Sequence, residues 1–292
     1  MATYKGIQGY TVQKLSEDPT ASSDTAGQLW YNSGTGKFNI VVGGAGTWAS
    51  GGNLNNARKG LGGIGITTAA VGVGGVAPIT ALVGYVEEYN GTAWTEVTNM
   101  PVATQFFASG GILTAGWIAG GSISATGDPP FPVTTDEYDG TSWAESGNMT
   151  VTHGYGLAGS GPQTAAFAAT GANPPSHTGT TATEEYNGSS WTAGGATNQA
   201  SHGGTAAGTQ TAGLFFGGTT YTAKTESYNG SSWTEVANLN TGRFHGATGG
   251  GTATNTSALY AGGFTPPFTA ITESYNGTCW SEVGDLSSAR EG

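Results

Sequence analysis

Tyr228–Trp233, with the sequence Tyr-Asn-Gly-Ser-Ser-Trp, is the stretch that decides the fold. Four near-copies of it lie at Tyr89–Trp94, Tyr138–Trp143, Tyr186–Trp191 and Tyr275–Trp280. Their tryptophans are 49, 48, 42 and 47 residues apart, and Trp48 lies 46 residues before the first of them. Spacing this regular indicates one structural unit repeated along the chain.

Each copy contains an Asn-Gly or Asp-Gly pair between the tyrosine and the tryptophan. Such a pair accepts positive φ at low cost, so each copy predicts a tight turn between a strand that ends at the tyrosine and one that begins at the tryptophan. Two further short strands precede this hairpin; in the last copy they are predicted at Phe244–Gly251 and Ala258–Gly263. Four short strands that can bury their faces only against neighbouring units predict a blade of a β-propeller.

The composition points the same way and excludes several functions. The chain has 292 residues, of which 53 are glycine and only 9% are charged, so helix is disfavoured and an all-β fold is expected. A net charge of −11 argues against a nucleic-acid partner. The opening residues lack the apolar core of a signal peptide, and no run approaches the ~20 apolar residues of a membrane helix, so no membrane insertion is expected.

Paired glycines close the second strand in four of the five full copies and are replaced by Ala169-Thr170-Gly171 in the third. A strand ending in Gly-Gly, then a tyrosine, then a tryptophan about five residues later, at a period near 50, resembles the kelch repeat. The resemblance covers residues 28–290. It implies a kelch-like propeller, for which six or seven blades are usual.

The number of blades depends on the N-terminal part of the chain. Five full copies occupy about 59–104, 105–152, 153–201, 202–243 and 244–292, and a partial copy occupies 28–58. The partial copy is predicted to contain a hairpin of residues 28–32 and 37–42, so we expect six blades after a short N-terminal arm of residues 1–27. The sixth blade would either have three strands or take a fourth from Tyr4–Val12. The alternative is a five-bladed propeller with the N-terminal piece outside it.

The repeated aromatic residues are predicted to be structural. A buried tryptophan removes ~200 Å² from water, which is worth at most about 5 kcal/mol. In a chain with few Leu and Ile, these rings are expected to form the core between blades rather than a sugar-binding platform. They are Trp48, Tyr89, Trp94, Tyr138, Trp143, Tyr186, Trp191, Tyr228, Trp233, Tyr275 and Trp280.

A second repeat position, ten or eleven residues after each tryptophan, is mostly basic. Its occupants are Arg58, Thr104, His153, His202, Arg243 and Arg290. Equivalent junctions of a propeller lie on one rim, so the five basic residues form a candidate ring for carboxylate or sulfate groups. The same side chains can instead bond to the neighbouring blade, and we weigh this structural role above ligand binding.

No set of catalytic residues is recognisable. The four histidines are not close in sequence to a serine or cysteine in a nucleophile turn. Cys279 occupies a turn position held by Ser or Ala in the other copies, which argues against the cysteine-dependent copper site of kelch-like galactose oxidases, and the arginines do not suggest a sialidase triad. The sequence therefore predicts no enzyme, no cofactor and no metal, although calcium between the repeated acidic residues is left open.

A second resemblance concerns function. The opening Met-Ala-Thr-Tyr-Lys-Gly-Ile-Gln-Gly-Tyr-Thr-Val-Gln-Lys-Leu, the stretch Gly-Gln-Leu-Trp-Tyr-Asn-Ser and the Asn-Gly-Ser-Ser-Trp-Thr-Glu-Val repeats resemble virion proteins of tailed phages of marine cyanobacteria and other marine bacteria. This implies a structural component of the particle. We expect a tail fibre or adhesin whose arm contacts other virion proteins and whose propeller recognises a host glycan or envelope protein.

Other functions stay open at this stage. A capsid or tail decoration protein would use the propeller as a stabilising spacer without a ligand, and a polysaccharide-active enzyme has the least support. Association of several chains through the arm is also left open. Loops that contain proline share one position in the repeat, at residues 128–132, 173–177 and 265–268. Because proline restricts the backbone, such loops suit either ligand binding or a stable, rigid surface.

Overall fold

The computed structural model describes residues 13–15, 29–34, 37–40, 46–78, 81–249 and 254–291. The chain divides into two compact units, Met1–Thr47 and Trp48–Gly292. In the first unit, β1 (Gln13–Leu15) pairs in parallel with β2 (Leu29–Asn32), which pairs antiparallel with β3 (Lys37–Ile40). The hairpin predicted over residues 28–42 is therefore present as β2 and β3. Most of the predicted arm, including the strand at Tyr4–Val12, lies outside the described residues.

The second unit is a five-bladed β-propeller, and each blade is a four-stranded antiparallel sheet with its strands in chain order. Blade 1 consists of β4 (Gly62–Ile66), β5 (Ala69–Val73), β6 (Val86–Tyr89) and β7 (Trp94–Glu96). Blade 2 consists of β8 (Ala108–Ile112), β9 (Ala115–Ala119), β10 (Thr135–Tyr138) and β11 (Trp143–Glu145).

The remaining three blades follow the same order. Blade 3 begins with β12 (Ala158–Ser160) and β13 (Ala166–Ala169), continues through a separate two-stranded hairpin of β14 (Ala172–Asn173) and β15 (Thr178–Gly179), and ends with β16 (Thr183–Tyr186) and β17 (Trp191–Ala193). Blade 4 consists of β18 (Thr205–Thr209), β19 (Ala212–Phe216), the 3-10 turn Thr219–Tyr221, β20 (Thr225–Tyr228) and β21 (Trp233–Glu235). Blade 5 consists of β22 (Ala247–Thr248), β23 (Ala258–Ala261), β24 (Thr272–Tyr275) and β25 (Trp280–Glu282).

The all-β propeller is confirmed, whereas the preferred count of six blades is wrong and the five-blade alternative is confirmed. The predicted propeller start at residue 28 lies inside the first unit, because β2 pairs with β1 and β3 rather than with a blade. The rest of the partial copy, residues 48–58, forms no strand. It bridges blades 5 and 1 instead, since Trp48 Nε1 donates to Thr272 Oγ1 (3.1 Å) and the Asn55 backbone N–H donates to Glu87 Oε2 (2.7 Å).

The repeated aromatic residues tie each blade to the preceding one. The indole N–H groups of Trp191, Trp233 and Trp280 donate to a threonine Oγ1 of the preceding blade over 2.8–3.0 Å. Three tyrosine hydroxyls donate to a glutamate of the preceding blade: Tyr138 to Glu88, Tyr186 to Glu137 and Tyr228 to Glu185. Within a copy, tyrosine and tryptophan rings lie 4.8–5.1 Å apart. These contacts are those expected of a core between blades.

Candidate functional site

Three of the predicted basic residues hold a buried carboxylate of the next blade. Arg243 Nη1 lies 2.7 Å from Glu273 Oε1, and both side chains are completely buried. Its Nη2 donates to the Tyr260 carbonyl (2.9 Å), and its guanidinium carbon lies 4.5 Å from the centre of the Tyr260 ring. Arg243 is therefore held by groups of blade 5.

Arg58 and His153 repeat this arrangement. Arg58 pairs with the buried Glu87; burial alone would raise the pKa of this carboxyl, but hydrogen bonds from the Asn55 N–H and the Arg58 guanidinium bring it below the ordinary value. His153 Nε2 lies 3.2 Å from Glu184 Oε2, and its Nδ1–H donates to the Thr170 carbonyl (2.6 Å). A charged or hydrogen-bonded partner is what a buried carboxylate requires.

The other two basic residues lie elsewhere. Arg290 is exposed and donates to Ser288 Oγ (3.3 Å). His202 lies near the propeller axis, and its Nδ1 is 3.0 Å from Thr219 Oγ1. Burial lowers the pKa of His202, and the nearby His177 lowers it further. Anion binding by the five residues stays a prediction, but the geometry of Arg58, His153 and Arg243 favours the structural role.

Blade 2 is the exception, because Thr104 stands where a basic residue would face Asp136. Asp136 is buried, with 8% of its surface exposed, and burial followed by the charge of Glu145 raises its pKa. A carboxyl whose folded-state pKa is raised binds its proton more tightly when folded. Stability is therefore lost as the pH rises from the unfolded-state value of about 3.9 through the folded-state value.

Asp136→Asn is accordingly expected to raise the melting temperature at pH 7. The gain should shrink as the pH falls through the raised folded-state pKa and be lost below about pH 4, where Asp136 is protonated in both states. Thermal unfolding followed by circular dichroism at several pH values measures this. Asp139→Asn is the matched control, since exposed Asp139 accepts the backbone N–H groups of Thr141 and Ser142, as the asparagines of the other four turns accept theirs. Equal gains from both substitutions at pH 7 would contradict the argument.

A ring of backbone groups surrounds the propeller axis just beyond the basic repeat position of each blade. The offset from that position is two residues in blades 1, 2 and 5, three in blade 3 and one in blade 4. The members of the ring, one from each blade, all have positive φ of 53–71°: Gly60, Phe106, Gly156, Gly203 and His245. The N–H of Phe106 donates to the Gly60 carbonyl (3.1 Å), and that of His245 to the Gly203 carbonyl (2.8 Å). Positive φ is uncommon for a large side chain such as Phe106, and such strained residues cluster at functional sites.

Aromatic side chains from three blades meet at this ring. Phe106 of blade 2 stacks on His245 of blade 5, with ring centres 4.8 Å apart and planes 16° apart. Tyr155 of blade 3 contacts both, at 4.4 Å from Phe106 and 5.3 Å from His245. The chain thus places rings that are far apart in sequence against one another at the axis.

A cavity of about 340 Å³ opens beside this cluster. Its aromatic wall is formed by Phe106, Tyr155, Phe244, Phe264 and Phe268. Its polar lining includes Lys59, Gln105, His245 and Glu291. The volume lies at the small end of the ~300–1,000 Å³ of typical ligand pockets, and a mostly aromatic wall with a few polar groups is typical of them.

Two titratable side chains of the pocket, His245 and Tyr155, are neutral near pH 7. Burial, followed by the charges of His202 and Lys59, lowers the pKa of His245 to about 3. Its Nδ1 is 4.0 Å from Glu291 Oε2, which is too far for a hydrogen bond, and the neutral ring makes no ion pair there. Burial and the charge of Glu291 raise the pKa of Tyr155 to about 12. Moreover, His245 Nε2 is buried without a hydrogen-bond partner.

Comparison with known proteins adds no family. The chain matches no protein-family model and no curated protein. The kelch and phage resemblances therefore depend on the repeat residues and on the opening segment alone.

Sequence reasoning missed this pocket. Phe106, Tyr155 and His245 share no residue type, and the one available signal was that each lies two residues after the basic repeat position. Within the described ranges no group of three or more His, Cys, Asp or Glu is placed to hold a metal, and Cys279 is exposed in its turn. The described part of the chain also contains no helix long and apolar enough to cross a membrane.

Proposed function

We propose that this chain is a non-enzymatic structural protein of a tailed-phage virion, part of a tail fibre or adhesin, whose kelch-like propeller recognises the host surface. The central pocket is the observation that carries the proposal. It is open, has an aromatic wall and has polar side chains, among them Lys59, Gln105 and His245, in its lining. These are features of a binding site rather than of a packing defect.

The position of the pocket also supports recognition. Strands of a blade alternate in direction, so the loops between second and third strands emerge at the same end as the junctions between blades. These loops contribute Phe264 and Phe268 to the pocket. On the same face, large apolar side chains are exposed at Ile123, Tyr221 and Phe268. An end of the propeller with exposed apolar groups around a pocket suits contact with another surface.

The proposal of a non-enzyme is supported by the chemistry of the pocket. His245 is the imidazole that lines it; its Nδ1 lies 4.0 Å from Glu291 Oε2, and its pKa of about 3 is far from that of a general base at neutral pH. Pocket hydroxyls are represented by Tyr155 and Thr126, and neither has a hydrogen bond to His245 among the contacts described. A binding role requires no general base and no nucleophile in the pocket.

Decoration of the capsid or tail is the second candidate. It is favoured by the buried ion pairs and indole hydrogen bonds that join neighbouring blades, since these make a rigid spacer. In either case, residues 1–27 are proposed to attach the chain to other virion proteins. We also propose that the chain is part of the assembled particle and that several copies associate there.

Immunogold electron microscopy of intact particles, with antibodies raised against the full chain, distinguishes these functions. Label at the distal tail is expected. Label spread over the capsid would mean that the chain is a decoration protein and not an adhesin. If the chain is present in the preparation only as free protein and the particles carry no label, the virion assignment is wrong. Antibody first absorbed with the purified chain is the control for specificity.

Competition for the host surface tests recognition directly. Purified full-length chain, incubated with host cells before infection, is expected to slow adsorption of the phage, because it occupies the same receptors. The fraction of unadsorbed plaque-forming particles measures this over time. An adsorption rate that does not change at a saturating concentration of the chain argues against an adhesin.

A further inference from the structure

The size of the central pocket limits what it can hold. A volume of about 340 Å³ corresponds to about eleven water molecules at ~30 Å³ each. One hexose, with about a dozen non-hydrogen atoms, fits within such a volume with room for bridging water. A peptide segment or an oligosaccharide would have to extend beyond the pocket, so a single small unit at the end of a larger molecule fits it better.

The walls favour a ligand with apolar faces. Phe264 and Phe268 lie at 60° to one another with ring centres 5.2 Å apart. Phe268 is 48% exposed and lies at the entrance of the pocket. Aromatic faces carry partial negative charge and attract the C–H groups of a pyranose ring, while the hydroxyls at the edge of that ring stay free for hydrogen bonds.

The unpartnered atom of His245 selects the type of polar group. Only 8% of the side chain is exposed, and Nδ1, the nitrogen that faces Glu291 at 4.0 Å, makes no hydrogen bond among the contacts described. A neutral imidazole presents either a donor or an acceptor at this nitrogen, depending on the tautomer. A hydroxyl satisfies both tautomers because it donates and accepts, whereas a carboxylate only accepts and an ammonium group only donates.

The charges around the pocket argue against an ionic ligand. His202, Tyr155, Lys59 and Glu291 are the titratable groups that face His245. Lys59 and Glu291 have opposite formal charges, and the two histidines have lowered pKa values. An anionic sugar would therefore lose its hydration without gaining a net positive site, in a chain of net charge −11.

From these observations we infer that the central pocket binds one uncharged pyranose, the terminal sugar of a neutral glycan. The ring packs between Phe268 and the neighbouring aromatic side chains, and one of its hydroxyls bonds to His245 Nδ1. This inference rests on the proposed role in surface recognition and names its ligand class. It also places recognition at residues other than the basic repeat position.

Saturation-transfer NMR and calorimetry with the full-length chain test the ligand class. The probes are methyl glycosides of glucose, galactose, mannose and fucose, compared with methyl glucuronide, methyl sialoside and methyl glucosaminide. Binding of at least one neutral glycoside is expected, with affinity unchanged between pH 8 and pH 5. Preference for an acidic or amino sugar, tighter binding at pH 5, or no binding of any probe would overturn the inference.

Two substitutions and a matched control locate the sugar. Phe268→Ala and His245→Phe are expected to weaken binding about tenfold, by removing a stacking face and a hydrogen-bond partner. His245→Phe keeps a ring to stack on Phe106, and because Phe268 is half-exposed, its removal leaves the fold intact. Tyr85→Ala removes an exposed aromatic side chain from the corresponding loop of blade 1, outside the lining of the pocket, and should change nothing. Equal affinity in Phe268→Ala and the unsubstituted chain would place the sugar elsewhere.

The outcomes separate this inference from the proposed function. If antibodies against the chain label the tail and the free chain slows adsorption, but no neutral glycoside binds, the ligand class is wrong and the adhesin hypothesis is retained. If the chain binds a neutral glycoside in the pocket but the antibodies label no part of the particle, the sugar site is supported and the proposed virion function is wrong.

Discussion

Arg243→Met is expected to lower the free energy of unfolding by about 3–5 kcal/mol, because it leaves the Glu273 carboxylate buried without a counter-ion. Both side chains have no exposed surface, and Arg243 Nη1 lies 2.7 Å from Glu273 Oε1. The same substitution removes the hydrogen bond from Nη2 to the Tyr260 carbonyl. Urea unfolding followed by tryptophan fluorescence measures the loss.

Arg290→Met is the matched control for this prediction. Arg290 occupies the same repeat position ten residues after a tryptophan, but it is exposed and its partner is Ser288 Oγ. Its replacement should leave the urea midpoint unchanged. The double substitution Arg243→Met with Glu273→Gln should recover part of the loss, since no buried charge remains. A loss below about 1 kcal/mol in Arg243→Met would show that water reaches Glu273.

Trp280→Ala is expected to cost a similar 3–5 kcal/mol, because the cavity it leaves lies between blades 4 and 5. The side chain is 5% exposed, its ring centre is 4.8 Å from that of Phe216, and its Nε1 donates to Thr225 Oγ1 over 3.0 Å. The substitution removes both the packing and the hydrogen bond. Urea unfolding with intrinsic tyrosine and remaining tryptophan fluorescence measures the change.

Trp94→Ala provides the comparison at the equivalent turn of blade 1. Trp94 is half-buried, and its Nε1 donates to the Gly52 carbonyl of the bridging segment rather than to a blade threonine. We expect it to cost less than half as much as Trp280→Ala. Equal losses at the two positions would mean that burial does not set the contribution of the repeated tryptophans.

The turns of this protein could be predicted from sequence because their chemistry is local. In blade 4, Asn229 Oδ1 accepts the backbone N–H groups of Ser231 and Ser232 at 3.0 and 2.9 Å, and Gly230 has φ of 90°. Every group in this arrangement lies within four residues. The repeated tyrosine and tryptophan pair follows directly, since the turn places the two rings side by side across the hairpin.

The number of blades depended on pairing at long range. Leu29–Asn32 and Lys37–Ile40 form the predicted hairpin, but a hairpin's edge can pair with any strand that presents free N–H and C=O groups. Here the partner is Gln13–Leu15 in the first unit. Nothing in the residues of the hairpin itself distinguishes that partner from a blade.

The sequence by itself determined the repeat, its four strands, the turn chemistry and the residues that form the core between blades, because a period near 50 and short-range contacts express these features directly. Only the tertiary structure decided what the basic repeat position does and where a ligand can bind. Arg58, His153 and Arg243 turn toward the buried acid of the next blade, 29–31 residues further along the chain. The pocket brings Phe106 against His245, 139 residues apart. Residues this far apart in sequence meet at the axis only because the blades close into a ring. Ring closure is set by contacts between blades, which a local sequence pattern does not specify.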